Sequence, residues 1–174
     1  KLWLSFDVYG SSYYGKHYPA ELINYVDELI IMAYDGAGTW SAIGHHTDLN
    51  LFNNGYKYWL TKIGEENFHK ITMGVPFYGY RFDKNHTPGN AGTATTVLYN
   101  ELLLDFPEAY TNDTLQSKTE IIIHNGINTL AKKVEIVKAQ KNMGILIWEI
   151  SFDHGTGDKS LINFLYEASK PSKK

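Results

Sequence analysis

Three apolar segments of this chain end in an aromatic residue, and two of these endings add a carboxylate. They read MAYD at residues 32–35, VPFY at 75–78 and IWE at 147–149. Tyrosine and tryptophan combine a flat apolar face with a polar edge, and carboxylates accept hydrogen bonds from hydroxyl groups. One such ending could merely cap a strand, but three of them together favour a pocket. This chemistry suits an uncharged, polyhydroxylated ligand such as a carbohydrate.

Parallel strands would bring these endings together, and the sequence alternates between strand-like and helix-like segments. Near-continuous apolar runs, typical of strands buried on both faces, occupy residues 28–34 and 70–77. Further segments complete the pattern: strands at 2–8 and 143–150, and helices at 19–26, 51–62, 128–140 and 159–168. The alternation predicts an α/β fold built from βα units. In α/β barrels the carboxyl-terminal strand ends form the active site.

Four such units make half of a (β/α)8 TIM barrel, which needs ~250 residues in full. A small α/β insertion after the third strand is predicted at residues 81–124, with a loop or hairpin at 81–96, a helix at 97–106 and a strand at 119–124. A doubly wound open sheet is the competing architecture. It usually carries a G-x-G-x-x-G turn after its first strand, whereas residues 8–12 read VYGSS. We therefore expect a partial-barrel domain over residues 1–169, followed by a basic tail at 170–174.

The composition argues against several classes of partner. A net charge of −3 gives no global field that would attract nucleic acid or an anionic membrane surface. No apolar run approaches the ~18–20 residues that a membrane span needs, and the absence of cysteine excludes disulfides. His45-His46-x-Asp48 lies on a predicted loop without a second ligand cluster, so we predict neither a metal site nor a cofactor. The other histidines are expected at the surface or as satisfied polar groups.

The strand endings resemble those of glycoside hydrolase family 18, the chitinase-like hydrolases. Four segments carry the resemblance in the family's order: residues 27–35 for the sixth barrel strand, 73–79 for the seventh, 124–132 before the seventh helix and 144–149 for the eighth. Trp40 and Asp153 also fall where many members carry these residue types. Because the segments keep their order and cover almost the whole chain, the resemblance is specific. It identifies the chain as the C-terminal half of the barrel, strands five to eight.

This resemblance implies a substrate and a reaction. The substrate is a β-1,4-linked chain that contains N-acetylglucosamine, such as chitin. A glutamate at the end of the fourth strand protonates the leaving oxygen, and the sugar's own N-acetyl carbonyl attacks the anomeric carbon. By the same resemblance, the protein is expected to be extracellular or periplasmic.

The resemblance also assigns roles to residues. Tyr34 would hold the acetamido carbonyl in its attacking position, and Asp35 would accept hydrogen bonds from the same sugar or sit beside the acid. Five further residues are expected at substrate-binding positions: Trp148 as the floor of the −1 subsite, Met32 beneath it, Tyr78 and Trp40 at neighbouring positions, and Glu149, which is equally a candidate structural partner of a nearby loop.

Two departures from the family pattern bear on function. The motif Asp-x-x-Asp-x-Asp-x-Glu, which carries the acid, occurs nowhere in the 174 residues. Many members have arginine directly after Phe-Tyr-Gly, where this chain has Tyr80. Because consecutive strand residues face opposite ways, Arg81 need not make the same contact.

Three activities therefore remain open at this point. The chain belongs to a hydrolase of chitin-like polymers, to an endo-acting hydrolase of N-glycan cores, or to a sugar-binding lectin that has lost its acid. Alone, it is expected to be inactive. A half barrel also leaves strand edges and an apolar face open, so we expect pairing with the missing N-terminal half or self-association.

Overall fold

Two four-stranded sheets organise the chain. The computed structural model describes residues 1–140, 144–155 and 157–171. The described strands are β1 (Ser5–Tyr9), β2 (Glu28–Met32), β3 (Ile71–Pro76), β4 (Tyr78–Asp83), β5 (Ala94–Leu98), β6 (Thr114–Gln116), β7 (Glu120–Ile123) and β8 (Gly144–Trp148). The α-helices are α1 (Ser12–Gly15), α2 (Leu49–Ile63), α3 (Tyr99–Asp105), α4 (Ile127–Ala139) and α5 (Leu161–Ser169). Short 3-10 turns lie at Ala20–Asn24, Glu65–Lys70, Ala91–Thr93, Pro107–Tyr110 and Ile150–Phe152.

The first sheet is parallel, with the strand order β1-β2-β3-β8. Residues on its buried face lie in register, because Val8 pairs with Ile31 and Ile31 pairs with Met73. These three side chains are completely buried in a core shared with the helices. Side chains alternate along a strand, so Tyr9 and Trp148 point to the other face, where each remains about half exposed.

The predicted alternation of strands and helices is confirmed, with one correction. Residues 19–26 form only the 3-10 turn Ala20–Asn24 and not an α-helix. The Tyr25 N–H bonds the Leu22 carbonyl, three residues before it, at 3.0 Å, and the carbonyls of Ile23 and Val26 accept from the Lys70 amine at 2.8 and 2.9 Å instead of from a following helical turn. Residue 143 of the last predicted strand and residues 172–174 of the predicted tail lie outside the described residues.

The second sheet is antiparallel, with the order β5-β4-β7-β6. The segment at 81–96, expected to be a loop or hairpin, forms the β4–β5 hairpin, and its first strand begins at Tyr78. Phe77 joins the two sheets: its N–H donates to the Trp148 carbonyl at 2.8 Å, and its own carbonyl accepts from the Tyr99 N–H at 3.1 Å. The second sheet thus starts directly at the C-terminal edge of the first.

Helix α2 packs closely on the C-terminal end of β1. The Asp48 carboxylate accepts a hydrogen bond from the Leu51 N–H at 2.7 Å and caps the helix. Its buried face carries large side chains, including Phe52 and Trp59. At Gly55 the helix touches the neighbouring loop so closely that a Cβ would lie 2.7 Å from the Gly10 carbonyl oxygen.

The parallel sheet has open strand edges and an apolar groove beside its last strand. β1 and β8 are its edge strands among the described residues. A groove of about 520 Å³ lies between α4, β8 and α5 and is lined mainly by apolar side chains, among them Val137, Ile147 and Leu165. In the part of the chain that the structure describes, no helix is long and apolar enough to cross a membrane.

The contact between α2 and Gly10 predicts that Gly55→Ala destabilises the fold. The added methyl group collides with backbone, which should outweigh the gain of ~1 kcal/mol in helix propensity and leave a net loss of about 1–2 kcal/mol. Urea unfolding curves measure the difference. Asn54→Ala is the matched control, because Asn54 is exposed on the same helix and should be neutral or stabilising. Equal losses for the two variants would contradict the packing argument.

Candidate active site

Tyr34 and Asp35 follow β2 directly and are held by the loop that returns to α2. The Thr47 hydroxyl donates to the Ala33 carbonyl at 2.8 Å, and the Gly36 N–H donates to the His46 carbonyl at 2.8 Å. Asp35 has a φ of 59°, in the left-handed region that aspartate tolerates better than most side chains. This backbone turn directs its carboxylate towards β4.

The Tyr34 ring lies above Gly74 of β3. A Cβ at that glycine would be 2.9 Å from Cε1 of the ring, so the ring fits only because the side chain beneath it is missing. Its hydroxyl makes no hydrogen bond to the described residues. Burial, reinforced by the charges of Asp7 and Asp35, raises the pKa of Tyr34 to about 12. The hydroxyl is therefore protonated at neutral pH and is a donor without a partner among the described residues.

The Asp35 carboxylate accepts hydrogen bonds from two tyrosines of β4. The hydroxyls of Tyr78 and Tyr80 both donate to Oδ1, at 2.6 and 3.1 Å. Partial burial opposes ionisation, but the adjacent His46 and the two hydroxyl donors outweigh it and lower the pKa of Asp35 below its ordinary value. Asp35 is therefore an ionised acceptor at neutral pH, and its second oxygen is available to a ligand.

His46 lies beneath this carboxylate and is completely buried. Its Nε2 is 3.2 Å from the Tyr78 carbonyl, and its Nδ1 is 3.6 Å from Oδ1 of Asp35. Burial lowers the pKa of His46, although the adjacent Asp35 carboxylate opposes the shift, and the Nε2–H donates to the Tyr78 carbonyl. The other ring nitrogen, Nδ1, is buried and has no hydrogen-bond partner among the described residues.

Lys133 fastens the loop around Asp35 to the rest of the protein. It is completely buried, and its Nζ donates to the Thr47 carbonyl, the Thr47 hydroxyl and the Asn125 side-chain oxygen at 2.6–2.7 Å. The family-like segment spans residues 124–132, but the inward lysine is Lys133, whereas Lys132 lies at the helix surface. On a helix, adjacent residues point about 100° apart.

An open cleft of about 510 Å³ lies beside Tyr34 and Asp35. Trp40 lines it, and its exposed ring makes an edge contact with Tyr80 at a centroid distance of 5.9 Å. Tyr78, expected at a sugar position, is instead buried and directs its hydroxyl to Asp35.

The third strand ending does not line this cleft in the part of the chain that the structure describes. Trp148 is about half exposed at the end of β8, and Met32 is half-buried at the end of β2. No ring contact joins Trp148 to the cleft among the described residues. Glu149 accepts a hydrogen bond from the Ser151 hydroxyl. Asp153 is structural, because its carboxylate accepts the Leu161 N–H at 2.9 Å at the start of α5.

The histidines form no metal centre. Within residues 1–140, 144–155 and 157–171, no group of three or more His, Asp or Glu side chains is arranged to hold an ion. Of the residues predicted for the site, the structure brings Tyr34, Asp35 and Trp40 to one cleft. Sequence reasoning missed Tyr80, His46 and Lys133 as parts of its support.

The fold and this cleft define an α/β domain with an open cleft lined by aromatic residues and a carboxylate. A sequence profile of the family Glycosyl hydrolases family 18 matches residues 5–153, so the chain belongs to that family. The fold resembles that of the family's TIM-barrel chitinases.

Individual relatives agree with this assignment. Probable chitinase 10 of Drosophila melanogaster is 28% identical over 173 residues, which cover 79% of this chain and 8% of that protein. The chitinase ChiB of Flavobacterium johnsoniae is 28% identical, with a TM-score of 0.75 over 96% of this chain and 50% of that structure. A class V chitinase of Nicotiana tobaccum, solved as a mutant in complex with NAG4, has a TM-score of 0.78 at 22% identity. The match covers 99% of this chain and 57% of that structure. This chain thus spans about half the length of these solved structures and much less of the fly protein.

Burial of Lys133 predicts a pH-dependent stability. Burial lowers the pKa of Lys133 to about 7 from 10.5 in the unfolded chain. Between these values the unfolded state binds more protons, so stability should rise with pH by up to ~1.4 kcal/mol per unit. Urea unfolding at pH 7, 8 and 9 should therefore show a positive slope for wild type that Lys133→Met lacks. Lys132→Met is the control and should keep the slope; parallel curves for wild type and Lys133→Met would refute the assignment.

Proposed function

We propose that this chain contributes the acetamido-binding part of a chitinase-like active site that acts on β-1,4-linked N-acetylglucosamine polymers. One observation carries the proposal: an ionised carboxylate, held by two tyrosine hydroxyls, lies next to a tyrosine hydroxyl that is protonated and unoccupied. An acetamido group needs such a pair, because its carbonyl accepts a hydrogen bond and its N–H donates one.

In this proposal Tyr34 donates to the acetamido carbonyl and Asp35 accepts from the same sugar. Fixing the carbonyl beside the anomeric carbon favours its attack, and such positioning can supply of order 7 kcal/mol or more in the best intramolecular cases. Trp40 lines an adjacent sugar position, whereas Trp148, Met32 and Glu149 belong to the −1 subsite. The tobacco relative's complex with NAG4 supports a chitooligosaccharide as ligand.

We further propose that the chain is the C-terminal half of a (β/α)8 barrel, strands five to eight, with β4–β7 as an insertion. Support comes from the two open edges of the parallel sheet, the apolar groove beside β8 and the span of about half a solved relative. The missing N-terminal half, or a second copy, would cover these surfaces. An extracellular or periplasmic location is carried over from the family alone.

The proton donor is proposed to lie outside this chain. A general acid must be protonated when the leaving oxygen needs a proton, whereas the pKa of Asp35 is lowered and its Oδ1 already accepts two hydrogen bonds. The same observation favours a second candidate function, sugar binding without hydrolysis, as in a lectin of this fold. The hydrolase and the lectin would differ only in the upstream strand, which carries the acid in the hydrolase and lacks it in the lectin.

Acetamido recognition is tested by calorimetric titration with chitotetraose. Tyr34→Phe removes one hydroxyl donor and should weaken binding about tenfold. Asp35→Asn keeps a side chain suited to the left-handed backbone and should also bind more weakly, because the charge is lost. Tyr25→Phe, on an exposed tyrosine outside the cleft, is the control. Cellotetraose lacks acetamido groups, so wild type should bind it less tightly; equal binding of the two sugars would refute the proposal.

The absence of an acid predicts that the purified chain does not release the fluorophore from a 4-methylumbelliferyl chitobioside. Binding of chitotetraose measured in the same preparation shows that the protein is folded. Turnover that survives Asp35→Asn would mean that another carboxyl group of this chain acts as the acid.

A further inference from the structure

We infer that His86, in the turn of the β4–β5 hairpin, is a positioning residue for Trp40 of the cleft. His86 does not line the cleft in the part of the chain that the structure describes; it acts on the loop that carries the tryptophan. The inference rests on the proposed function, in which Trp40 lines a sugar position. It adds to that function the contacts by which the hairpin fixes the ring.

Trp40 is too exposed for packing alone to hold it in place. It is 54% exposed. Its ring makes an edge contact with Tyr80 and lies on Gly38, where a Cβ would be 2.6 Å from Cη2 of the ring. An exposed ring keeps one position for a ligand when the backbone that carries it is fixed, and this lowers the entropic cost of binding.

The backbone on both sides of Trp40 is bonded to the hairpin turn. His86 Nε2 lies 3.0 Å from the carbonyl oxygen of Ser41, and the Gly89 N–H donates to the Thr39 carbonyl at 3.0 Å. Thr39 and Ser41 are the residues directly before and after Trp40. The two hydrogen bonds, called here the hairpin clamp, therefore fix the backbone from which the ring projects. The edge strands β1 and β8 contribute no atom to the clamp, so it is complete within this chain.

The turn that makes the clamp has a defined shape of its own. Pro88 is followed by Gly89 with a φ of 83°, which is the residue order and backbone of a type II turn. The Asn90 N–H donates to the Thr87 carbonyl at 3.1 Å and closes the turn. The Gly89 N–H therefore faces Thr39 from a fixed position.

His86 makes one hydrogen bond within the hairpin and one across to the cleft loop. Its Nδ1 is 2.7 Å from Oγ1 of Thr93, which belongs to the same hairpin, and its Nε2 faces the Ser41 carbonyl. Because a carbonyl can only accept, Nε2 carries a proton, and the Thr93 hydroxyl can donate to Nδ1. The two bonds can be removed separately, since an asparagine side chain ends near the position of Nδ1 and a glutamine side chain reaches that of Nε2.

The test titrates wild type and three variants of His86 with chitotetraose. His86→Ala should weaken binding about fivefold, the effect of one hydrogen bond of ordinary strength. His86→Gln keeps the bond to Ser41 and should restore most of the affinity, whereas His86→Asn keeps only the bond to Thr93 and should lose as much as alanine. The reverse order would show that His86 merely stabilises the hairpin, and it would overturn the inference. Lys84→Ala, on an exposed residue of the same hairpin, is the control and should bind like wild type.

A double-mutant cycle shows whether His86 acts through Trp40. The effect of His86→Ala is measured again in a Trp40→Ala background. Contacting residues that act through one another are not additive, so His86→Ala should cause no further loss once the ring is absent. The full fivefold loss in that background would mean that His86 affects the sugar by another route, and the inference would be wrong.

A third measurement needs no sugar. The indole N–H signal of Trp40 in NMR spectra should shift in His86→Ala and His86→Asn and stay near its wild-type position in His86→Gln. The other three tryptophans of the chain report whether each variant is folded, and if His86→Ala does not fold, the comparison of glutamine with asparagine still decides. An unmoved Trp40 signal in His86→Asn would refute the positioning role. If the signals behave as expected but wild type binds no chitotetraose, the proposed function fails and the positioning role stands.

Discussion

The geometry of the cleft depends on a buried amine. Lys133 joins its own helix α4, and the turn at Asn125 just before that helix, to the loop that carries Thr47, 86 residues away in sequence. Without these hydrogen bonds, buried oxygens of the loop would lose their donors, which costs about 1–3 kcal/mol for each group. Thr47 in turn holds the Ala33 carbonyl, directly before Tyr34. The hydrogen bonds of Lys133 in the core thereby set the position of Tyr34 at the cleft.

The carboxylate of Asp35 is held from the second sheet, which explains a departure from the family pattern. Tyr80 stands where many members carry arginine, and its hydroxyl still makes a polar contact with Asp35. Arg81 faces the other way, 4.0 Å from both Asp105 and Glu120. A neutral donor supports the negative charge less strongly than a guanidinium would. The adjacent His46 and the hydroxyl of Tyr78 also lower the pKa of Asp35.

Features that repeat along the chain could be predicted from sequence, and single contacts across it could not. The parallel strands were evident because buried strands give long apolar runs, and their endings placed Tyr34, Asp35 and Trp40 near one another. The burial of His46 depends on β4 crossing above it, which no local pattern encodes. The family-like segment ended at Lys132, one residue before the buried Lys133. Helical spacing marks which apolar residues face the core, but it does not show which of two adjacent lysines points inward. A 3-10 turn stands at Ala20–Asn24 in place of the predicted helix, and the carbonyls of Ile23 and Val26 bond Lys70, more than 40 residues away in sequence, which no local pattern encodes.

The left-handed backbone at Asp35 restricts which mutations this position can accept. A replacement must tolerate that conformation and also reach the hydroxyls of Tyr78 and Tyr80. Glycine satisfies only the first condition, and glutamate keeps the charge but prefers another backbone. Asparagine satisfies both conditions and differs from aspartate by one base of its codon. A lineage could therefore silence this carboxylate in a single genetic step while leaving the fold in place.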